Sequence, residues 1–226
     1  MATKVSDTFT DTNVTNLQNH TPDVGGTWTF TVNPGGTPSN IQNNELYGGS
    51  YGSLYQHTNG AAVGDDDMDI TCDTRLHSTE STRRMAVAGR LPGGTSGSSN
   101  YYRSMRTAGS GQSTYDLVKR VSSVETNLGS YVDGNAASTS QVMKLEIRAA
   151  AKKVFVEGTE RISSTDENLV GNQYVAIATS RELARMDNFL VEDVPPAADP
   201  NDFSRRQPRE DWLLRTNRVA EHLVSA

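Results

Sequence analysis

Two neighbouring segments decide the fold: Met143-Lys-Leu-Glu-Ile-Arg148, and then Val154-Phe-Val-Glu-Gly-Thr-Glu-Arg-Ile162. In the first, Met143, Leu145 and Ile147 alternate with Lys144, Glu146 and Arg148. Successive side chains of a strand point to opposite faces, so this run has one apolar and one charged face. In the second, Val154 and Val156 lead into Glu157-Gly158, and the chain returns through Ile162. That pattern reads as a hairpin in which Gly158 supplies a positive-φ position.

The same period of two recurs on either side. Trp28, Phe30 and Val32 alternate with threonines; Met68, Ile70, Cys72 and Thr74 alternate with Asp69, Thr71 and Asp73; Met85, Val87 and Gly89 are spaced by alanines. Tyr115-Leu117, Val175-Ile177 and Phe189-Val191 continue the series. Gly/Ser/Asn clusters at 33–37, 93–100, 108–113 and 129–140 read as the turns between them. The expectation is ten or more strands, no helix-period segment before residue 195, and two antiparallel sheets packed face to face. Composition agrees: Ser, Thr, Asn and Gly make up 81 of the 226 residues, which suits short strands and polar loops and argues against a helical bundle.

Charge and cysteine usage narrow the function classes. Net charge is −6, with the acidic excess in residues 1–80 and no basic stripe anywhere, which argues against nucleic acid as a partner. No run of 18 apolar residues exists, and the polar segment 1–12 lacks the apolar core of a signal peptide. A single cysteine, Cys72, excludes an internal disulfide framework. The composition changes at Val194-Pro195-Pro196, so residues 1–194 read as the sandwich and 195–226 as a C-terminal extended linker and short docking helix. Past Pro208, Trp212, Thr216, Val219 and Leu223 form one stripe of an amphipathic helix, widened by Leu213 and flanked by Arg209, Arg215 and Arg218. Trp212, Leu213, Arg215, Val219 and Leu223 are the expected partner-docking residues.

The order of these elements resembles the concanavalin A-like lectin/glucanase superfamily, in its laminin-G-like branch. Asp7-Thr-Phe9 with Gly25-Gly-Thr-Trp28 looks like the opening of that family. Met143–Arg148, Lys153–Gly158, Asp166, Tyr174–Ala178 and Met186-Asp-Asn-Phe-Leu-Val191 look like its closing half. Glu157 stands where the hairpin usually has Asp, and Ala149–Ala151 with Lys152-Lys153 where a Gly turn is common. The resemblance covers about residues 7–193 and implies an all-β jelly-roll sandwich. It also implies an association with tailed-phage virion proteins, which fold in host cytosol without an export signal. The expected function is therefore a non-enzymatic bacteriophage structural protein that decorates or stabilises a capsid or tail. It would be located in the virion and anchored to other virion proteins, with itself as a further oligomeric partner. The alternative is a carbohydrate-binding module for host attachment through a surface glycan, and the third reading is a glycan-cleaving enzyme.

Candidate sites follow from these readings. Tyr47, Tyr51 and Tyr55 recur every four residues amid glycines, and Tyr101-Tyr102 follow a Gly/Ser loop; their rings suit glycan contact, or simple packing at a sheet edge. Glycoside hydrolysis needs paired carboxylates. The glucanase branch carries them as Glu-x-Asp-x-x-Glu, a run missing here, so no catalytic residues are expected, and Asp69, Asp73 and Glu146 read as a solvated strand face. Asp65-Asp66-Asp67 with Asp69 supply the oxygen ligands that calcium would take, although an acidic turn is the plainer reading and no cofactor is expected. The four histidines lack zinc-ligand spacing, and Cys72 reads as a small core residue.

Overall fold

The computed structural model describes residues 1–32, 38–49, 55–64, 66–77, 83–92, 100–109, 111–167, 169–180 and 184–194. These form sixteen strands: β1 (Ala2–Asp7), β2 (Thr15–Asn16), β3 (Trp28–Val32), β4 (Asn40–Gln42), β5 (Glu45–Tyr47), β6 (Tyr55–Asn59), β7 (Met68–Leu76) and β8 (Arg84–Leu91), then β9 (Tyr101–Ala108), β10 (Ser113–Val121), β11 (Val124–Asp133), β12 (Gln141–Arg148), β13 (Ala151–Val156), β14 (Thr159–Thr165), β15 (Tyr174–Ser180) and β16 (Ala184–Asp193). The only helical turn among the described residues is a 3-10 turn at Leu17–Asn19. The strands build two antiparallel sheets. One has seven strands in the order β11-β10-β9-β8-β15-β6-β3. The other has nine, in the order β14-β13-β12-β7-β16-β5-β4-β2, with β1 paired to β16.

The sheets meet through the alternating apolar faces. Met143, Leu145 and Ile147 of β12 sit opposite Cys72, Ile70 and Met68 of β7, and all six are buried. Facing them, β8 contributes Met85 and Val87 and β10 contributes Tyr115 and Leu117. Gly89 of β8 sets how closely the layers approach: a Cβ there would lie 2.7 Å from Met68 Sδ and 2.8 Å from Ile147 Cδ1. Cys72 is core, as expected, and burial pushes its thiol above the ordinary range.

The opening and closing segments meet around Trp28. The Asp7 carboxylate, fully buried, accepts hydrogen bonds from Trp28 Nε1 (2.6 Å) and the Phe9 N–H (2.7 Å), and lies 2.9 Å from His20 Nε2. Trp28 in turn packs edge-on against Phe189 at 5.5 Å, and Asp7 is the register partner of Phe189. Asp7, Phe9, Trp28 and Phe189 are thus parts of one buried cluster.

Several polar side chains are built into the core, Arg106 and Lys152 among them. Arg106 of β9 donates to the carbonyls of Thr74, Ala137 and Thr139 and to Ser113 Oγ. Lys152 of β13 donates to the carbonyls of Ala149 (2.5 Å) and Asp166 (2.9 Å) and stands over the Tyr102 ring at 4.8 Å. Burial and the nearby Arg90 charge press the Lys152 ammonium down to about 8.

The hairpin forms as expected. Glu157 and Gly158 both have positive φ (50° and 71°), the two-residue turn whose twist suits a hairpin. Glu157 is tolerated there because its carboxylate accepts the Val142 N–H at 2.7 Å. One expected turn is wrong. Gly129 to Asp133 belongs to β11, and Gly129 is a close-approach position, where a Cβ would lie 2.5 Å from Ile162 Cγ2. The expected linker and helix at 195–226 lie outside the described residues.

Candidate functional site

The outer face of the nine-stranded sheet is where charged side chains collect, because every second residue of β12, β7, β16 and β5 must point away from the core. Over most of it they neutralise one another. Lys144 pairs with Asp69 (3.0 Å) and Glu146 (3.3 Å), Arg148 lies between the same two carboxylates, and Lys153 pairs with Glu160 at 2.7 Å. Glu146 is half-buried on this face, whereas Asp69 is buried between Lys144 and Arg148, which corrects its reading as solvated.

Toward β5 the pattern changes. Register places Arg185 of β16 directly between Arg75 of β7 and Tyr47 of β5, and places Asp187 directly opposite Asp73. The two guanidiniums share one carboxylate: Arg75 Nη2 donates to both oxygens of Glu45 at 3.0 Å, and Arg185 Nη1 to Glu45 Oε2 at 2.9 Å. Arg185 also lies over the Tyr47 ring, 4.4 Å from its centroid. Tyr47 is itself buried, so its ring acts as the platform beneath Arg185.

Two shallow pockets open here and share Arg75 and Arg185 as walls. The larger, about 110 Å³, is lined also by Leu76, His77 and Ser138. The smaller, about 50 Å³, is lined by Glu45, Asp73, Asp187 and Ser140 among others. The Asp73–Asp187 pair corrects the reading of Asp73 as merely solvated. Burial, and then the charges of Asp73 and Glu45, push the Asp187 carboxyl above its ordinary value. Asn188 Nδ2 donates to Asp73 at 2.7 Å. The cleft therefore offers acceptors at one end and cationic donors at the other, with Arg185 backed by the Tyr47 ring.

The remaining candidate positions fall elsewhere. Tyr47 and Tyr55 stand in strands of different sheets, β5 and β6; Tyr51 lies outside the described residues. Tyr101 and Tyr102 are buried, on opposite faces of β9, and neither presents an open ring to a sugar. Tyr101 is clamped by Arg103 and Arg120, each of which donates to its hydroxyl, and Tyr102 donates to Asp166. Asp66 accepts the Gly171 N–H and Asp67 the Ala149 N–H, while Asp69 is held by Lys144 and Arg148; Asp65 lies outside the described residues. Among the described residues no three His, Cys, Asp or Glu side chains gather as a metal site. Trp212, Leu213, Arg215, Val219 and Leu223 lie outside the described residues.

Sequence reasoning named Tyr47 but missed Arg75, Arg185, Glu45 and Asp187. Their only signal is spacing by two, Glu45-x-Tyr47, Asp73-x-Arg75 and Arg185-x-Asp187, which puts each pair on one face. That these faces coincide depends on cross-strand register, which a sequence does not display.

No family model matches the chain, and no curated protein matches it in sequence. Solved structures do share its fold. The carbohydrate-binding module CBM66 from Bacillus subtilis superposes with a TM-score of 0.57 at 14% identity, covering 76% of this chain and 95% of that one. The exoplasmic/lumenal domain of VIP36, in a Ca2+- and Man-bound form, gives 0.58 at 10% identity, covering 85% and 93%. A β-glucanase of Bacillus licheniformis gives 0.53 at 7% identity, covering 82% and 100%. The fold is thus the lectin-like jelly-roll sandwich shared by binding modules, lectins and glucanases.

Proposed function

We propose that the sandwich is a carbohydrate-binding module, with its sugar taken up at the cleft around Arg185. The observation that carries this reading is the cleft itself: Glu45, Asp73 and Asp187 next to Arg75 and Arg185, the latter backed by the Tyr47 ring. Vicinal sugar hydroxyls both donate and accept, and side chains of this kind, held in place by each other, bind them without first having to be ordered. The shared fold with CBM66 and the mannose-bound VIP36 domain supports the same reading.

The test is binding of the whole chain to an oligosaccharide panel, followed by calorimetry on Arg185→Ala. A bound sugar whose affinity falls at least tenfold in the variant is the expected result. A panel with no ligand overturns the proposal.

One observation favours a second reading. The Asp73–Asp187 pair lies in the same cleft, and Asp187 is shifted in the direction a general acid needs, which suits hydrolysis of a glycosidic bond. Release of reducing ends by the parent and its loss in Asp187→Asn would establish that activity; binding without turnover would leave the module as a lectin. The expected attachment to a virion falls on residues 195–226, outside the described residues, and the proposed function belongs to residues 1–194.

A further inference from the structure

We infer that the larger pocket is an anion subsite, and that the sugar recognised at this cleft carries a carboxylate or a sulfate ester. This rests on the carbohydrate-binding reading and adds a ligand class to it. The two pockets differ in what lines them. The smaller one is walled by Glu45, Asp73 and Asp187, so it suits hydroxyl donors and repels an acid. Among the described residues the larger one has Arg75, Arg185, His77 and Ser138 on its walls and no carboxylate.

The arginines have donors to spare. A guanidinium carries five N–H groups. Among the described residues Arg75 uses only Nη2, and Arg185 only Nη1, both on Glu45. Glu45 neutralises one of the two cations, and the carboxylates of Asp73 and Asp187 lie on the side of the smaller pocket. Glu45 holds both guanidiniums and Tyr47 lies below that of Arg185, and guanidinium N–H groups not used on Glu45 are of the kind that matches a planar carboxylate or the oxygens of a sulfate. With Arg75 and Arg185 common to both pockets, a sugar ring in the acidic half would project its charged substituent into the basic half. The cleft thus sets the direction in which the ligand lies.

Calorimetry with the whole chain tests this on three sets of oligosaccharides matched in length: neutral, uronate-containing and sulfated. The expected result is that at least one acidic set binds ten times or more tightly than the neutral set, with an affinity that falls as salt is raised. Arg75→Gln should remove that margin, and Arg75→Lys should restore only part of it, because an ammonium cannot bind an anion bidentately. The uronate and sulfate arms tell the two anions apart. Equal binding of neutral and acidic sets, unaffected by Arg75→Gln, overturns the anion subsite and leaves the carbohydrate reading standing. No binding by any set overturns both. Thermal denaturation of each variant identifies loss through misfolding, and a folded Arg75→Gln that keeps the full acidic margin overturns the subsite.

Discussion

Asp7 and Asp187 show how differently two carboxylates of one chain are used. Asp7 is buried but satisfied by Trp28, the Phe9 amide and His20, so removing a partner leaves an oxygen unpaired in the core. Trp28→Phe should therefore lower stability by about 1–3 kcal/mol in urea denaturation, the ordinary cost of stranding a buried acceptor. Asp187 has the opposite problem: it faces Asp73 directly, and like charges across a strand pair are unfavourable by about 0.2–1 kcal/mol. Its raised folded-state pKa means that the fold is favoured while the group is protonated and loses that advantage as pH rises through the carboxylate range. Asp187→Asn should accordingly melt higher than the parent at pH 7, with the difference fading as pH falls below the carboxylate range. The chemistry of these residues was only half legible in the sequence. Asp7, Phe9 and Trp28 could be grouped through a resemblance, but Asp73 and Asp187, 114 positions apart, become neighbours only through the register of β7 on β16.

Strands with one apolar and one polar face were readable, and β7, β10, β12 and the β13–β14 hairpin stand where alternation put them; β8, buried on both faces, was readable because its small alanines alternate with Met85 and Val87. The strands that escaped did so for physical reasons. In β9 both faces are buried, and the inner one carries Ser104 and Arg106, so no alternation survives. In β11 most residues are exposed, and Gly129 imitates a turn although it makes room for Ile162. A glycine kept for close approach and one kept for nothing in the folded state can be told apart by experiment. Gly89→Ala drives a methyl group into Met68 and Ile147 and should cost about 1–3 kcal/mol. Gly134→Ala meets nothing within 4 Å and should be stabilising by about 0.4–1 kcal/mol, because it only restricts the unfolded chain. Urea midpoints of the two variants should move in opposite directions.

At the scale of the whole molecule, the sandwich encloses His57 of β6 with neither ring nitrogen hydrogen-bonded, stacked beside Phe30 at 4.8 Å. Burial presses its pKa down to about 3, so the folded chain keeps the ring neutral where the unfolded chain would protonate it near 6.5. The stability this represents is present above about pH 6.5 and is lost as pH falls from there toward 3, on the order of 4 kcal/mol across the window. His57→Phe should flatten that part of the stability–pH curve relative to the parent. A different consequence follows from the pairing of β1 with β16. Ala2 lies against Asp193, tied by the Ala2 N–H to the Asp193 carboxylate at 2.6 Å and by Lys4 to the same group at 3.0 Å. The first and last strands of the sandwich run antiparallel with their outer ends side by side. Tension applied between residues 2 and 193 would load the rungs of this ladder one after another, like a zip, instead of shearing them all at once. A sandwich held by those two points is mechanically weak however stable its core, and the same closeness lets it sit in a loop of a larger protein with little spacer on either side.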